Sequence, residues 1–376
     1  MSQTSSTTPD PDRALGGRRN LDIEFVHVTK RFPGQQQPAV SDLSMRVEAG
    51  QICCLVGPSG GGKTTTMKLI NRLVEFDDGD ILIGGSSVCA TDPIELRRGI
   101  GYVIQEVGLF AHMTVAENIA VVPRLLGWSK GRTKERISDL LDLVRLPQDM
   151  AKRYPAQLSG GQRQRIGLAR ALAVDPPVML MDEPFGALDP ITRASLQDEF
   201  LHLHHELRKT TVFVTHDIDE AIKMGDRIAV LRDGGTLAQY ATADELLAQP
   251  ADDFVADLVG ADRGLKRLSL RRAGDLASDQ PLAGAPSLPE VSADTTLRIA
   301  LSVLLAASAP AVRVRAAHGP PGIITMEQLQ AALGPALASG TPLGPAPASD
   351  VRTGTGPTAD VPAGPAAGPG AKPRGN

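Results

Sequence analysis

The sequence predicts an α/β fold, a parallel sheet covered by helices, and three observations point to it. Apolar runs of strand length recur, as in "QICCLV" (51–56), "VMLMDEP" (178–184) and "TVFVTHD" (211–217). Each ends in glycine or in polar residues. Helical patterns such as "TTTMKLINRL" (64–73) lie between them. Unbroken apolar strands alternating with helices fit a sheet buried on both faces, and chemistry collects at the carboxyl ends of such strands.

The elements follow in order along the 376 residues. Residues 1–20 are polar and rich in Pro, Ser and Thr, which predicts a disordered lead-in; they lack the apolar core of a signal peptide, so export is not expected. The strand and helix alternation occupies 21–260. Within it, from about 106 to 170, strand patterns lapse and helical ones such as "RTKERISDLLDLVRL" take over, predicting a helical insert. Composition shifts again after Gly260, where "DRGLKRLSLRR" leads into a small module at 261–337. From 338 to 376 Pro, Gly and Ala dominate, which predicts a disordered tail.

Composition narrows the function classes. The hydrophobic content of 42% is ordinary for a globular protein, and a formal net charge of -4 argues against wholesale binding of nucleic acid. Cys53, Cys54 and Cys89 form no spaced framework, and the adjacent pair reads as small hydrophobes in a strand. The longest apolar run, Ile299 to Val312, is too short for a bilayer span and is closed by Arg298 and Arg313. If the protein serves a membrane, another chain must cross it.

The strongest chemical signal is "GPSGGGKT" at 57–64, the G-x-x-x-x-G-K-[ST] pattern between a strand and a helix. Glycines let successive backbone N–H groups point inward as an anion nest, the helix N-terminus adds positive potential, and Lys63 brings a mobile charge to phosphates. Thr64 is placed to give its hydroxyl to Mg²⁺. In "VMLMDEP" adjacent residues at a strand end point different ways, so Asp182 can face the metal while Glu183 faces the attacking water. Gln105 ends "IGYVI", His216 ends "TVFVT", and Asp189 follows in "GALDP". Taken singly, each reads equally as a turn or capping residue.

Their joint order changes that. Phosphate loop, glutamine, "LSGGQ", "MDEP", "ALD" and histidine, so spaced, resemble the ATP-binding subunit of ABC transporters over 21–260. The resemblance implies an ABC-type P-loop NTPase core with an antiparallel β subdomain and the helical insert. It implies that Gly57, Pro58, Ser59, Gly60, Gly61, Gly62, Lys63, Thr64 and Thr65 hold ATP as the Walker A loop. Asp182 and Glu183 become the Walker B pair, Gln105 the Q-loop residue shared between Mg²⁺ and catalysis, Asp189 the D-loop and His216 the switch histidine. Phe32, in "KRFPG", matches the position whose ring stacks on adenine, with a buried core phenylalanine as the alternative. Ser159, Gly160, Gly161 and Gln162 match the signature that closes on ATP held by the opposite protomer. A homodimer, integral-membrane permease subunits and an extracytoplasmic solute-binding protein are the implied partners. The implied location is the cytoplasmic face of the membrane.

Longer stretches, "VIQEVGLFAHMTVAENIA", "EPFGALDPITR" and "FVTHDIDEAIKMGDRIAVLRDG", resemble the ATPases of importers for glycine betaine, choline, carnitine or proline betaine. The chain departs from that pattern at Glu106, where a second glutamine is common, and at Ala111, where proline is. An importer of another small solute, such as a polyamine, is the neighbouring reading; an ABC ATPase acting on ribosomes or DNA is the rival from another class. The C-terminal module resembles one CBS repeat, with Gln328 where nucleotide-binding repeats carry aspartate. Arg263, Lys266, Arg267, Arg271 and Arg272 read either as a solvated face or as a contact for anionic lipid. "LHLHHEL" brings His202, His204, His205 and Glu206 together without the H-E-x-x-H arrangement, which argues against a metal site.

Overall fold

Three runs of five residues, Ile52–Val56, Val178–Asp182 and Thr210–Val214, are buried along their whole length, the mark of strands covered on both faces. They form the centre of the larger sheet in the computed structural model, which describes residues 20–105, 108–278, 288–315 and 322–333. The polar lead-in, Glu106 and the Pro/Gly/Ala tail lie outside the described residues.

The chain opens with β1 (Ile23–Lys30), β2 (Val40–Val47) and β3 (Ile52–Val56), followed by α1 (Lys63–Ile70), β4 (Asp78–Ile83), β5 (Ser86–Ser87), α2 (Pro93–Arg98) and β6 (Ile100–Val103). It then turns helical through α3 (Val115–Leu125), α4 (Lys130–Leu143) and α5 (Gly160–Ala171). Alternation resumes with β7 (Val178–Asp182), α6 (Pro190–Leu207), β8 (Thr210–Val214), α7 (Ile218–Met224), β9 (Arg227–Arg232), β10 (Thr236–Ala241), α8 (Ala243–Ala248) and α9 (Asp253–Val259). The last elements are α10 (Arg263–Leu270), α11 (Ala273–Leu276), β11 (Glu290–Ser292), α12 (Leu297–Ala306), β12 (Ala311–Arg315), β13 (Gly322–Thr325) and α13 (Met326–Leu333).

The larger sheet runs β10-β9-β3-β8-β7-β6, parallel except for the β9–β10 hairpin. A second sheet, β2-β1-β4-β5, is antiparallel throughout. Successive residues of the central strands serve different cores. Cys54, Val56, Met179, Met181 and Phe213 join the cluster that includes α3 to α6, whereas Cys53, Leu55, Val178, Leu180 and Val212 join the cluster shared with the antiparallel sheet and α1. Burial pushes the Cys53 thiol up to about 12, so it stays protonated and apolar, as a core residue does.

The strand order decides where chemistry can occur. β3, β8 and β7 are neighbours and parallel, so Gly57, Thr215 and Glu183 emerge side by side at their carboxyl ends. Backbone bonds stitch these exits together: Glu183 donates to the Val214 carbonyl at 3.0 Å, and Thr215 donates to the Leu55 carbonyl at 3.1 Å.

Beyond α9, β11, β12 and β13 make a small sheet against α12 and α13 with its own apolar cluster around Leu268, Leu297, Leu304 and Ile324. Lys266, Arg267, Arg271 and Arg272, just before it, have partners within the chain. Arg267 donates to both carboxylate oxygens of Asp244 at 2.7 and 3.1 Å, and Arg271 lies 3.7 Å from the same carboxylate. Lys266 pairs with Asp219 at 3.0 Å and Asp262 at 3.3 Å, while Arg272 donates to the Asp294 carbonyl. Lys266 thus ties α10 to α7 through Asp219, and Arg267 ties it to α8 through Asp244, so part of the basic run serves packing within the chain. Gln328 closes a cap with Thr325 and donates to the Ser278 hydroxyl at 3.2 Å. No described helix is long and apolar enough to cross a membrane.

Candidate active site

The loop from Gly57 to Gly62 is shaped by backbone that only glycine tolerates. Gly57 has φ 151°, and a Cβ there would sit 1.9 Å from the Leu231 carbonyl oxygen; at Gly62, φ 78°, it would sit 2.1 Å from the Ala39 carbonyl oxygen. Gly62 is also the N-cap of α1 and supplies no side-chain cap. The first N–H groups of the helix are therefore left to an external anion.

Lys63 is buried and donates to the carbonyls of Gly57 and Pro58 at 2.8 and 2.7 Å. Its burial draws the ammonium below the usual lysine range, against the pull of Glu183 and Asp182. Thr64 donates its hydroxyl to Asp182 at 3.1 Å. Asp182 shares the strand face of Val178 and Leu180, which looks onto α1, and this alternation brings the carboxylate to Thr64. Burial raises its pKa, with the Thr64 bond and nearby lysines opposing.

Glu183 breaks the alternation. It has φ 43°, a left-handed backbone rarely adopted by a non-glycine residue and one that recurs at functional sites. The turn leaves its carboxylate to be met by Gln105, which donates at 3.1 Å, and by His216 Nδ1 at 3.3 Å. His216 remains about two-thirds exposed, whereas Glu183 is mostly covered. An acceptor flanked by an amide and an exposed imidazole is fitted to orient a water molecule.

The remaining residues are placed as follows. Asp189 caps α6, accepting from the Thr192 backbone at 3.1 Å, and the Thr192 hydrogen bonds hold its carboxyl below the usual range. Ser159 and Gln162 close a reciprocal capping box on α5, with bonds of 2.9 and 3.2 Å. Their described hydrogen bonds close on themselves and do not reach the phosphate loop. Phe32 is half-buried, with the Lys30 ammonium 5.5 Å from its ring centre. Within "LHLHHEL", His204 turns into the core against Phe200 and bonds the Lys209 carbonyl at 2.7 Å, while His202 and His205 face solvent. Burial draws the His204 pKa down. Sequence reasoning missed Arg193, Gln197, Thr215 and Glu220, whose bonds link α6 to the segments on either side of it in the site.

A parallel sheet with a glycine nest, a threonine bonded to a buried aspartate, and a strained glutamate at adjacent strand ends defines a P-loop nucleoside triphosphatase. Comparison with known proteins is consistent in detail. The profile of the ABC transporter family matches residues 40–186. The chain is 53% identical over 272 residues to the osmoprotectant import ATP-binding protein OsmV of Salmonella typhimurium, covering 71% of each chain. It is 46% identical over 300 residues to the glycine betaine uptake system ATP-binding protein YehX of Escherichia coli, covering 80% of this chain and 96% of the relative. Among solved structures it resembles the dimeric post-hydrolysis state of the ATP-binding cassette MJ0796 bound to ADP and Pi. There the TM-score is 0.52 and the identity 33%, over 58% of this chain and 98% of that one. The chain belongs to the ATP-binding subunits of ABC transporters, which are ATPases coupled to transport.

Proposed function

We propose that this subunit powers uptake of a quaternary-amine osmoprotectant, such as glycine betaine, through a separate membrane permease. The observation that carries the hydrolytic part is the meeting of Gln105 and His216 on the carboxylate of Glu183, beside the Thr64–Asp182 pair. The substrate class is supported by the relatives at 53% and 46% identity, named for osmoprotectant import and glycine betaine uptake.

Backbone N–H groups from Ser59 to Thr65 cradle the phosphates, and Lys63 exchanges its two carbonyl partners for phosphate oxygens. Hard oxygen donors at Thr64 and Asp182, a part-buried hydroxyl–carboxylate pair, fit Mg²⁺, and Gln105 is the third group of that set. Bound there, Mg²⁺ would supply positive charge to offset that of the phosphates. Glu183 accepts a hydrogen bond from the attacking water and aligns it, and His216 donates toward the γ-phosphate. Most of the rate comes from positioning and charge stabilisation.

Two copies close head to tail in this reading, each signature loop facing its partner's ATP. Ser159 is exposed as the N-cap of the twelve-residue helix α5. A solute-binding protein delivers the solute to the permease, and the ATPase works peripherally at the cytoplasmic face. Phe32 stacks on adenine. Phe32→Ala is accordingly expected to weaken ATP binding about tenfold, while kcat at saturation changes little. Titration with a fluorescent ATP analogue reads the first quantity and phosphate release the second.

The transport reading is tested by purification in mild detergent followed by vesicle uptake. The expected result is a copurifying chain with several membrane spans and ATP-dependent uptake of labelled glycine betaine. Uptake of spermidine alone would redirect the substrate to polyamines, and copurifying ribosomes or DNA would overturn transport.

A further inference from the structure

We propose that Glu220 is a positioning residue for hydrolysis, its carboxylate fastening the loop that carries His216 to α6 and, through Arg193, to the loop that follows Glu183. The inference rests on the roles proposed above for Glu183 and His216.

Glu220 lies in the first turn of α7 and is 9% exposed. Its carboxylate accepts from Gln197 Nε2 at 2.9 Å and from the Thr215 hydroxyl. Thr215 is buried, and its oxygen already accepts from the Asp217 N–H at 3.0 Å, so its one proton is free for Glu220. Asp217 in turn caps α7 by accepting from the N–H groups of Asp219 and Glu220. Both neighbours of His216 in the chain are thereby fixed, while the imidazole stays exposed beside Glu183.

The other end of the connection lies on α6. Arg193 stands one turn before Gln197, donates to the carbonyls of Gly186 and Leu188 at 3.4 and 3.0 Å, and bears electrostatically on Glu220. Gly186 and Leu188 belong to the segment joining Glu183 to Asp189. Burial pushes the Glu220 carboxyl up, with Asp217 adding to the effect and Thr215, Gln197 and Arg193 opposing it. Packing α7 on α6 needs only apolar side chains, and a buried carboxylate is costly unless hydrogen bonds offset its desolvation, as Gln197 and Thr215 do here. The geometry those bonds serve is the 3.3 Å approach of His216 to Glu183.

The test compares Glu220→Gln, Thr215→Val, Thr215→Ser and the double variant Glu220→Gln/Thr215→Val in the full-length protein. Glu220→Gln and Thr215→Val are each expected to lower kcat about tenfold, with ATP binding kept within about twofold. Thr215→Ser, which keeps the hydroxyl, is expected to turn over near the wild-type rate. The double variant is expected to lose about tenfold as well, since both changes cut one connection. Wild-type kcat in Glu220→Gln, parallel loss of kcat and ATP binding, or a double variant that loses about a hundredfold each overturns the proposal. Should Glu220→Gln not fold, the threonine pair decides, and equal rates for Thr215→Val and Thr215→Ser overturn it. His216→Ala, measured alongside, separates the two levels: if it keeps full turnover, the switch-histidine reading falls. If it is inactive while Glu220→Gln is normal, only the present inference falls.

Discussion

Replacing Glu183 with glutamine is expected to cut steady-state ATP hydrolysis by at least about a hundredfold, the scale set by losing a general base or water-orienting carboxylate. The amide keeps the size of the side chain, and the backbone turn at φ 43° is held by the Glu183 N–H to Val214. The shape of the site should therefore persist. What changes is the acceptor, since Gln105 Nε2 and His216 Nδ1 both meet the same carboxylate oxygen. An amide offers one oxygen and one NH₂ group, so it cannot accept from Gln105 and align a water equally well. ATP binding depends on the glycine loop and Lys63 and should survive. The variant is then expected to accumulate as an ATP-bound dimer, visible as a doubled mass in size-exclusion chromatography with ATP and its absence without it. Unchanged hydrolysis would show that the water is oriented by another residue.

The parts of this chain that were legible as sequence are those in which local pattern and final environment coincide. β3, β7 and β8 were readable because a strand buried on both faces needs no alternation, and the residues ending each run are glycine or polar. The second sheet was inferred only through family resemblance. Its β1 carries register shifts against both β2 and β4, and His27 and Asp42 adopt positive φ there, which blurs any period of two. In the candidate site, Lys63, Thr64, Asp182, Glu183, Gln105 and His216 could be picked out because each sits at a strand end or in a glycine loop. The network of Glu220, Gln197 and Arg193 could not, since its members lie inside helices and meet only when α6 packs on α7. Charge was ambiguous in the same way. A basic run at 263–272 has no visible partner in sequence, and the structure supplies Asp219 and Asp244 from earlier helices.

A mixture of Lys63→Ala and Ser159→Arg chains is expected to recover a nucleotide site that neither variant forms alone. The first substitution removes the ammonium that Gly57 and Pro58 hold in the phosphate loop. The second puts a bulky cation at the exposed head of α5. It also removes the serine from the capping box at a cost of about 1 kcal/mol to that helix, so retention of fold is checked by thermal unfolding. If the signature loop served the ATP of its own chain, every protomer in the mixture would carry a damaged site. With head-to-tail closure, the heterodimer instead has one site with both halves damaged and one with both intact, the latter made from Lys63 of the Ser159→Arg chain and Ser159 of the Lys63→Ala chain. Turnover can require two working sites, so the quantity to measure is occlusion of a labelled, slowly hydrolysed ATP analogue, with subunit exchange verified by two affinity tags. About one occluded nucleotide per heterodimer, and almost none in either parent, is the expected result. No recovery despite confirmed exchange would exclude a sandwich built from two chains and return the signature loop to its own protomer.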